Sequence, residues 1–502
     1  MGQKQYDAVI IGAGIAGLVA ALKLSKKGKR VVLLERQAVP GGYAASFKRK
    51  NFTFEAAIHC VDDLAPDGYI REFLDEYGIS QRIDYIELKH FARVLFPEHD
   101  FVADFNPDNF INYLKSNFPD ESKAIDNFFS LVRKFYKQID DFTSSELPLW
   151  VKLLLSPFRY NLIVKSSMMT AKGILDKFFK SNKLKSILSE VWRYSGLAPS
   201  ELSAFYFLIT FYGYYCHPTA SVKGGFTHLF EVIVDEIRKN GSEVMFNTSA
   251  NSIVTDNGRR VKSVVTDKGE VFDTKVVISN ANPFIALTKL LDNQRLRDFY
   301  IKKLSSMDKT ISAVQVYLGL KLPAKDLGMS HFMLSVNATY DHEDTFKKCM
   351  AGDYADCSFA IVDHAQIDST LVPEGKGSLV IMTFDSYKNW RSLKGESYKA
   401  RKEEVANELI KRSEKYLPGL SNYIEVMEVA TPLTFERYTL SPEGAIYGFA
   451  QTMLQSSINR IPLNTKVKGL FLTGSWTKPG HGVHGCFISG IDAADFTLKF
   501  LR

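Results

Sequence analysis

Cysteine is scarce in this chain: five in 502 residues, at Cys60, Cys216, Cys349, Cys357 and Cys486. An odd number without metal-ligand spacing argues against a disulfide framework or a thiolate metal site, and it suits a reducing compartment. No run reaches the roughly 18 apolar residues that a spanning helix needs. The longest apolar stretch, Phe205 to Cys216, covers twelve residues and fits a buried helix or a pocket wall. Long linkers, internal repeats and low-complexity tracts are also missing, which excludes solenoid and disordered architectures. Neither a secretory leader nor N-terminal acylation is expected. The first strand starts almost at Met1, and Tyr6 stands where acylation after Met1-Gly2 needs Ser or Thr. Acid is what residues 150–185 lack. Eight basic residues (Lys152, Arg159, Lys165, Lys172, Lys177, Lys180, Lys183 and Lys185) face one acid, Asp176, a charge equal to the whole chain's net +7.

With 45% hydrophobic and 13% aromatic residues, a chain of 502 can bury sizeable cores in two domains. Its start reads as strand, turn, helix, strand. Asp7 to Ile11 is an apolar strand, Gly12-Ala13-Gly14-Ile15-Ala16-Gly17 a glycine-rich turn, Leu18 to Lys27 a helix, and Arg30 to Leu34 a strand ending in Glu35. Gly12 permits the turn, Gly14 admits a pyrophosphate, and Gly17 lets helix and strand pack closely. The helix N-terminus offers N–H groups to phosphate, and Glu35 stands where a carboxylate accepts ribose hydroxyls. That unit alone indicates a dinucleotide. With Gly41-Gly42 and a second glycine-rich segment at the far end, Pro479-Gly480-His481-Gly482-Val483-His484-Gly485, it indicates FAD. No second strand–GxGxxG–helix unit follows, so a separate nicotinamide domain is not expected.

The fold class read from this pattern is α/β: a Rossmann-like FAD-binding domain interleaved with a mixed α+β substrate domain and a helical insert. The FAD-binding domain takes three pieces, 1–105, 218–305 and 430–502. Residues 306–429 form the substrate domain, and 106–217 the helical lid. The second piece carries a helix from Thr227 to Lys239, turns at Asp256-Asn257-Gly258 and Asp267-Lys268-Gly269, and a buried strand into Ser279-Asn280-Ala281. The third carries a strand from Leu470 to Gly474 and a terminal helix after Gly485.

Four stretches in this order resemble the FAD-dependent phytoene desaturase, carotenoid isomerase and retinol saturase family of amine-oxidase-like flavoproteins. They are Gly12 to Glu35 with Pro40 to Phe47; Phe54-Glu55-Ala56-Ala57-Ile58-His59; Lys223-Gly224-Gly225 through Ala281; and Leu470 to Gly474 with Thr477 to Gly485 and Ser489-Gly490. Tyr43 departs from the Arg or Ser of many relatives, Glu55 from the commoner Asp, and Ala57 from a frequent Gly. His59 looks more like retinol saturases. The resemblance implies that FAD is held by Gly12, Gly14, Ala16, Gly17, Glu35, Arg36, Gly41, Gly42, Tyr43, Ala57, Ile58, His59, Ala250, Asn280, Gly474, Ser475, Gly482, Val483, His484 and Gly485. It implies catalytic roles for His59, near the flavin ring, and for Arg437, which follows Glu436 over a substrate tunnel. His481 is expected to be exposed, while Tyr447 and the aromatics of 205–215 line the tunnel.

The implied function is an oxidoreductase that desaturates, saturates or isomerises C=C bonds of a long polyene, isoprenoid or acyl lipid drawn from the membrane. Its electrons pass to or from a quinone, dioxygen or a redox partner, or cancel in a neutral cycle. Two alternatives stand beside it: a flavin amine oxidase acting on a soluble amine, and a flavin-free prenyl-binding escort protein. Residues 147–185 alternate Trp, Leu and Phe with Lys and Arg, a pattern open to a solvated helical face on an apolar core or to an interfacial segment; the lipid-dissolved substrates that the resemblance implies make it a membrane-docking insert. The expected location is cytoplasmic, peripheral on the inner face of the membrane. Nucleic acid is not an expected partner, since no recognition module accompanies the charge. No metal is expected.

Overall fold

The computed structural model describes residues 4–145, 147 and 149–502; Met1 and Gly2, weighed above for acylation, lie outside them. Strands Ala8–Ile11 and Val31–Leu34 are buried at every position, so both faces of their sheet must be covered. They pair in parallel with Glu243–Met245, Val277–Ser279 and Leu470–Leu472. The spatial order is 243–245, 31–34, 8–11, 277–279, 470–472. Val9 stands beside both Val32 and Val277, and Val277 beside Leu470. Three widely separated stretches thus share one sheet. Helices Ile15–Lys26, Phe226–Lys239 and Val483–Phe500 bury one face of it. A four-stranded sheet of Lys4–Tyr6, Val271–Thr274, Val261–Thr266 and Ala250–Thr255 contributes to the core on the other. Close helix packing needs a small residue: a Cβ on Gly490 would stand 2.5 Å from the Ala16 carbonyl.

A seven-stranded sheet forms the second layer, in the order 424–430, 312–320, 377–385, 359–362, 333–336, 90–95, 100–104. The hairpin of His90–Leu95 and Asp100–Asp104, placed by sequence within the first nucleotide-binding piece, pairs here instead, parallel to Met333–Val336. Its alternation fits either sheet, and only the long-range partner decides. Along Ser312–Leu320 the period-two alternation splits two environments. Ala313, Gln315 and Tyr317 turn toward a large cavity. Val314, Val316 and Leu318 pack with Val405, Ala406 and Leu409 of the helix Gly395–Ser413.

The helical insert runs through Pro107–Asn117, Ser122–Ser144, Leu149–Arg159, Asn161–Ser167, Ala171–Phe178, Asn182–Ser189 and Ala204–Tyr215. Its core is aromatic, with Phe128 and Phe129 edge-on to Phe211, and Phe110 stacked on Tyr215. The twelve-residue apolar run therefore serves both readings: Phe207, Phe211 and Tyr215 are buried in the insert, while Tyr214 lines the cavity. No helix among the described residues is long and apolar enough to cross a membrane.

Candidate functional site

A cavity of about 1010 Å³ separates the two large sheets, at the upper end of the roughly 300–1,000 Å³ usual for small-molecule sites. Two helices aim their N-termini at it without help from a capping side chain: Ile15–Lys26 behind Gly14, and Val483–Phe500 behind Gly482. Their first-turn N–H groups remain available to an anion or an electron-rich ring. The helix Phe226–Lys239, away from the cavity, has its N-terminus filled by Glu55, whose carboxylate accepts from Phe226 N at 3.1 Å.

The glycines make the wall thin. A Cβ on Gly14 would approach Asn280 Nδ2 to 2.7 Å, and one on Gly474 would approach Asn280 Oδ1 to 2.4 Å. One on Gly17 would lie 2.1 Å from the Gly12 carbonyl. Glu35 projects beside this turn, accepting from Ala13 N and Gln37 N, both at 2.7 Å. Two open helix N-termini, a side-chain-free turn and an anchored carboxylate form a cradle that fits the phosphates and ribose of FAD.

Of the residues assigned to the cofactor from sequence, Gly12, Gly14, Ala16, Glu35, Arg36, Gly41, Gly42, Tyr43, Ala57, Ile58, His59, Ala250, Asn280, Ser475, Gly482 and Val483 line the cavity. Gly17, Gly474 and Gly485 stand behind its wall and act by letting backbones approach; a Cβ on Gly485 would lie 2.7 Å from the Gly480 carbonyl. His484 differs from expectation. Its Nδ1 pairs with Asp63 and it does not line the cavity. Asp63 also lies 3.5 Å from His217 Nε2. The Asp63 carboxylate holds the His484 pKa above its ordinary value despite burial. His481, expected exposed, is buried between the rings of Tyr206 and Tyr447, and its Nε2 donates to the Tyr194 carbonyl at 2.9 Å. The insert covers that loop, which local sequence does not encode.

The two catalytic candidates separate. His59 lines the inner cavity with its Nδ1 3.0 Å from His364 Nε2. Burial pushes the His59 pKa down to about 4 and that of His364 down to about 3. Arg437 is exposed at the rim, lying over the Tyr438 ring at 4.7 Å. It makes no ion pair with Glu436, which accepts instead from the Tyr387 hydroxyl at 2.7 Å. Arg36 spans the mouth, donating to the Arg437 and Tyr438 carbonyls at 3.1 and 2.7 Å.

Phe91, Tyr194, Tyr214, Met333, Met382 and Phe384 give much of the remaining wall an apolar or aromatic surface, with Arg193, Gln315, Ser358 and Thr383 among the polar residues between them. Two carboxylates reach it among the described residues: Glu35, engaged by backbone, and Glu428, paired with Arg49 at 2.9 Å. Sequence reasoning missed His364, and it missed Arg460, a fully buried guanidinium. Arg460 donates to the Thr477 and Phe449 carbonyls at 2.8 and 3.1 Å and also to that of Ser475, bracing the cavity loop. Neither belongs to a glycine-rich segment, and no spacing points to either.

Glu55 yields a test of how the pieces are joined. Its Oε1 also accepts from Ser46 Oγ at 3.0 Å, while buried Oε2 has no partner. Burial pushes this carboxyl from its ordinary 4.5 up to about 7. A raised folded-state pKa means stability that is complete below about 4.5 and lost as pH rises through about 7. The size is roughly 3 kcal/mol, from about 1.4 kcal/mol per pKa unit. Thermal midpoints measured between about pH 5 and pH 8 should fall in the native chain and stay flatter in Glu55→Gln. Parallel profiles would refute the assignment.

The model of the family described as flavin containing amine oxidoreductase matches residues 15–496. The chloroplastic prolycopene isomerase of Arabidopsis thaliana is 29% identical over 98% of this chain and 82% of that protein. The all-trans-retinol 13,14-reductase of Danio rerio is 25% identical over 94% of this chain and 82% of that protein. Among solved structures, a putrescine oxidase with bound putrescine superposes with a TM-score of 0.65 at 15% identity, covering 99% of this chain and 100% of that one. At that identity the likeness establishes the fold.

Proposed function

Since the chain belongs to the family of flavin-containing amine oxidoreductases, we propose that it is an FAD-dependent oxidoreductase acting on carbon–carbon bonds of a long hydrophobic polyene. Bound FAD supplies the two-electron chemistry. The open N-terminus behind Gly14, with Glu35, holds its phosphates and ribose. Gly482, Val483 and His59, which line the same cavity, would hold the ring. One observation carries the substrate class: the wall is rich in apolar and aromatic side chains, and both carboxylates on the cavity are already engaged. A cationic amine would find no carboxylate there that lacks a partner, whereas a hydrocarbon needs none. The names of the isomerase and reductase relatives support the same class.

The experiment is anaerobic incubation of protein loaded with oxidised flavin, and in parallel with flavin reduced by dithionite, with prolycopene, phytoene and all-trans-retinol, read by mass. Desaturation removes two hydrogens, saturation adds two, and isomerisation changes retention at constant mass. Turnover of none of them in either flavin state, together with peroxide formed from an amine in air-saturated buffer, would overturn the reading.

We further propose that the insert docks on a membrane surface and admits the substrate from it. Trp150, Leu154 and Phe158 are 69%, 69% and 83% exposed and lie four residues apart on one helix face. Met168, Leu454 and Ile458 add exposed apolar area. Pairing of Thr170 with Ser203 and of Leu202 with Thr452 brings the 168 and 454 segments side by side. The cations contribute less than composition suggests. Arg159, Lys172, Lys183 and Lys185 pair with carboxylates, while Lys165, Lys177 and Lys180 stay exposed outside these ion pairs. Phe158→Glu should weaken sedimentation with phosphatidylglycerol vesicles at least about tenfold, since burying such a ring contributes roughly 1.5–3 kcal/mol. Unchanged binding would remove the insert from the interface.

A further inference from the structure

His364 belongs to none of the glycine-rich segments, yet it is fixed against the cavity wall. It opens the short helix His364–Ile367, behind Asp363, whose carboxylate accepts from Ala365 N at 3.0 Å and whose own N–H donates to the Phe332 carbonyl at 2.7 Å. Its Nε2 meets two neighbours at once: His59 Nδ1 at 3.0 Å and the Ile58 carbonyl oxygen at 3.2 Å. A carbonyl only accepts, so the hydrogen must sit on His364 Nε2. A lone pair there would face another lone pair.

The rest follows from counting protons. Because His364 Nε2 donates, His59 Nδ1 accepts. A neutral imidazole carries one N–H, so that of His59 sits on Nε2. Burial keeps both rings neutral, and no carboxylate hydrogen-bonds either of them among the described residues. His59 Nε2 has no protein partner among the described residues, and His59 lines the cavity. We propose that His364 is a positioning residue that locks His59 as the Nε2–H tautomer, making His59 a neutral hydrogen-bond donor to the flavin ring and not a proton-abstracting base.

The recipient is assigned by chemistry, and this step rests on the FAD reading above. A hydrocarbon polyene offers no hydrogen-bond acceptor, whereas the isoalloxazine carries ring nitrogens and carbonyl oxygens. A fixed donor beside that ring favours its electron-rich form. His59 thereby raises the flavin potential, and His364 maintains this effect without touching the ring.

Two measurements test this. The first is ring-nitrogen NMR of protein labelled with 15N-histidine at neutral pH, with the His59 signals assigned by their loss in His59→Gln. Nitrogen shifts of a protonated Nε2 and an unprotonated Nδ1 are expected, with or without flavin. A protonated Nδ1 or a cationic ring in the native chain overturns the proposal. The second is the flavin midpoint potential. His364→Gln keeps a donor and should preserve both tautomer and potential, whereas His364→Leu should populate the other tautomer and lower the potential. A native-like tautomer and potential in His364→Leu also overturns it. If His364→Leu does not fold, the native spectrum still decides. If the chain binds no flavin, the FAD reading fails, while the spectrum of the flavin-free chain still decides the tautomer.

Discussion

Gly17→Ala should yield a chain that purifies without flavin absorbance and with FAD affinity lost. The added Cβ would stand 2.1 Å from the Gly12 carbonyl oxygen and 3.3 Å from Asn280. Contacts that close must be relieved by backbone movement. The backbone has no easy direction in which to give. Gly12 N donates to the Leu34 carbonyl at 2.8 Å, Gly41 N to the Ala13 carbonyl at 2.8 Å, and Asn280 N to the Ile11 carbonyl at 2.8 Å. Displacing the turn therefore moves the open N-terminus behind Gly14 away from where the phosphates would lie. Overpacking of this kind costs about 1–3 kcal/mol in folding as well. Gly28→Ala is the control: Gly28 has a φ of +72° but nothing within 4 Å of its Cβ position. It bears only the strain of a left-handed residue, about 1–2 kcal/mol, and should stay yellow. Stoichiometric FAD on Gly17→Ala would refute the cradle.

That site was legible because its demands are local. Gly12, Gly14 and Gly17 answer to a turn, a phosphate approach and a helix crossing, all within six residues of sequence. The buried parallel strands were legible for a similar reason, since a sheet covered on both faces imposes continuous apolar runs. Partners far apart in sequence were not. His59 meets His364 across 305 residues, and His484 meets Asp63 across 421. Each contact depends on how the two sheets stack, which no periodicity records. Placing residues 90–104 with the nucleotide-binding piece 1–105 missed their pairing with Met333–Val336 for the same reason: a strand's own residues do not name its neighbour. The charge of the insert was legible in amount, but its pairing with Asp141 and Glu98 needed the fold.

The second large effect concerns His59. His59→Leu should lower turnover of a polyene by about 10²–10³-fold, the usual consequence of deleting one preorganised donor, equivalent to roughly 2.7–4 kcal/mol. Flavin should be retained, because the phosphate cradle lies at the other glycine-rich turn. His364 keeps the Ile58 carbonyl at 3.2 Å as an acceptor, so the substitution leaves no stranded buried donor to unfold the wall. His59→Gln, whose amide can still donate, should recover part of the loss. Arg437→Ala should cost far less, since that side chain lies exposed over Tyr438 at the rim. The pH profile separates a donor from a base. With its pKa pushed down to about 4, His59 stays neutral through the physiological range, so it adds no inflection to the rate there. A rate limb between about pH 6 and pH 7 that disappears in His59→Gln would instead identify His59 as a titrating acid or base.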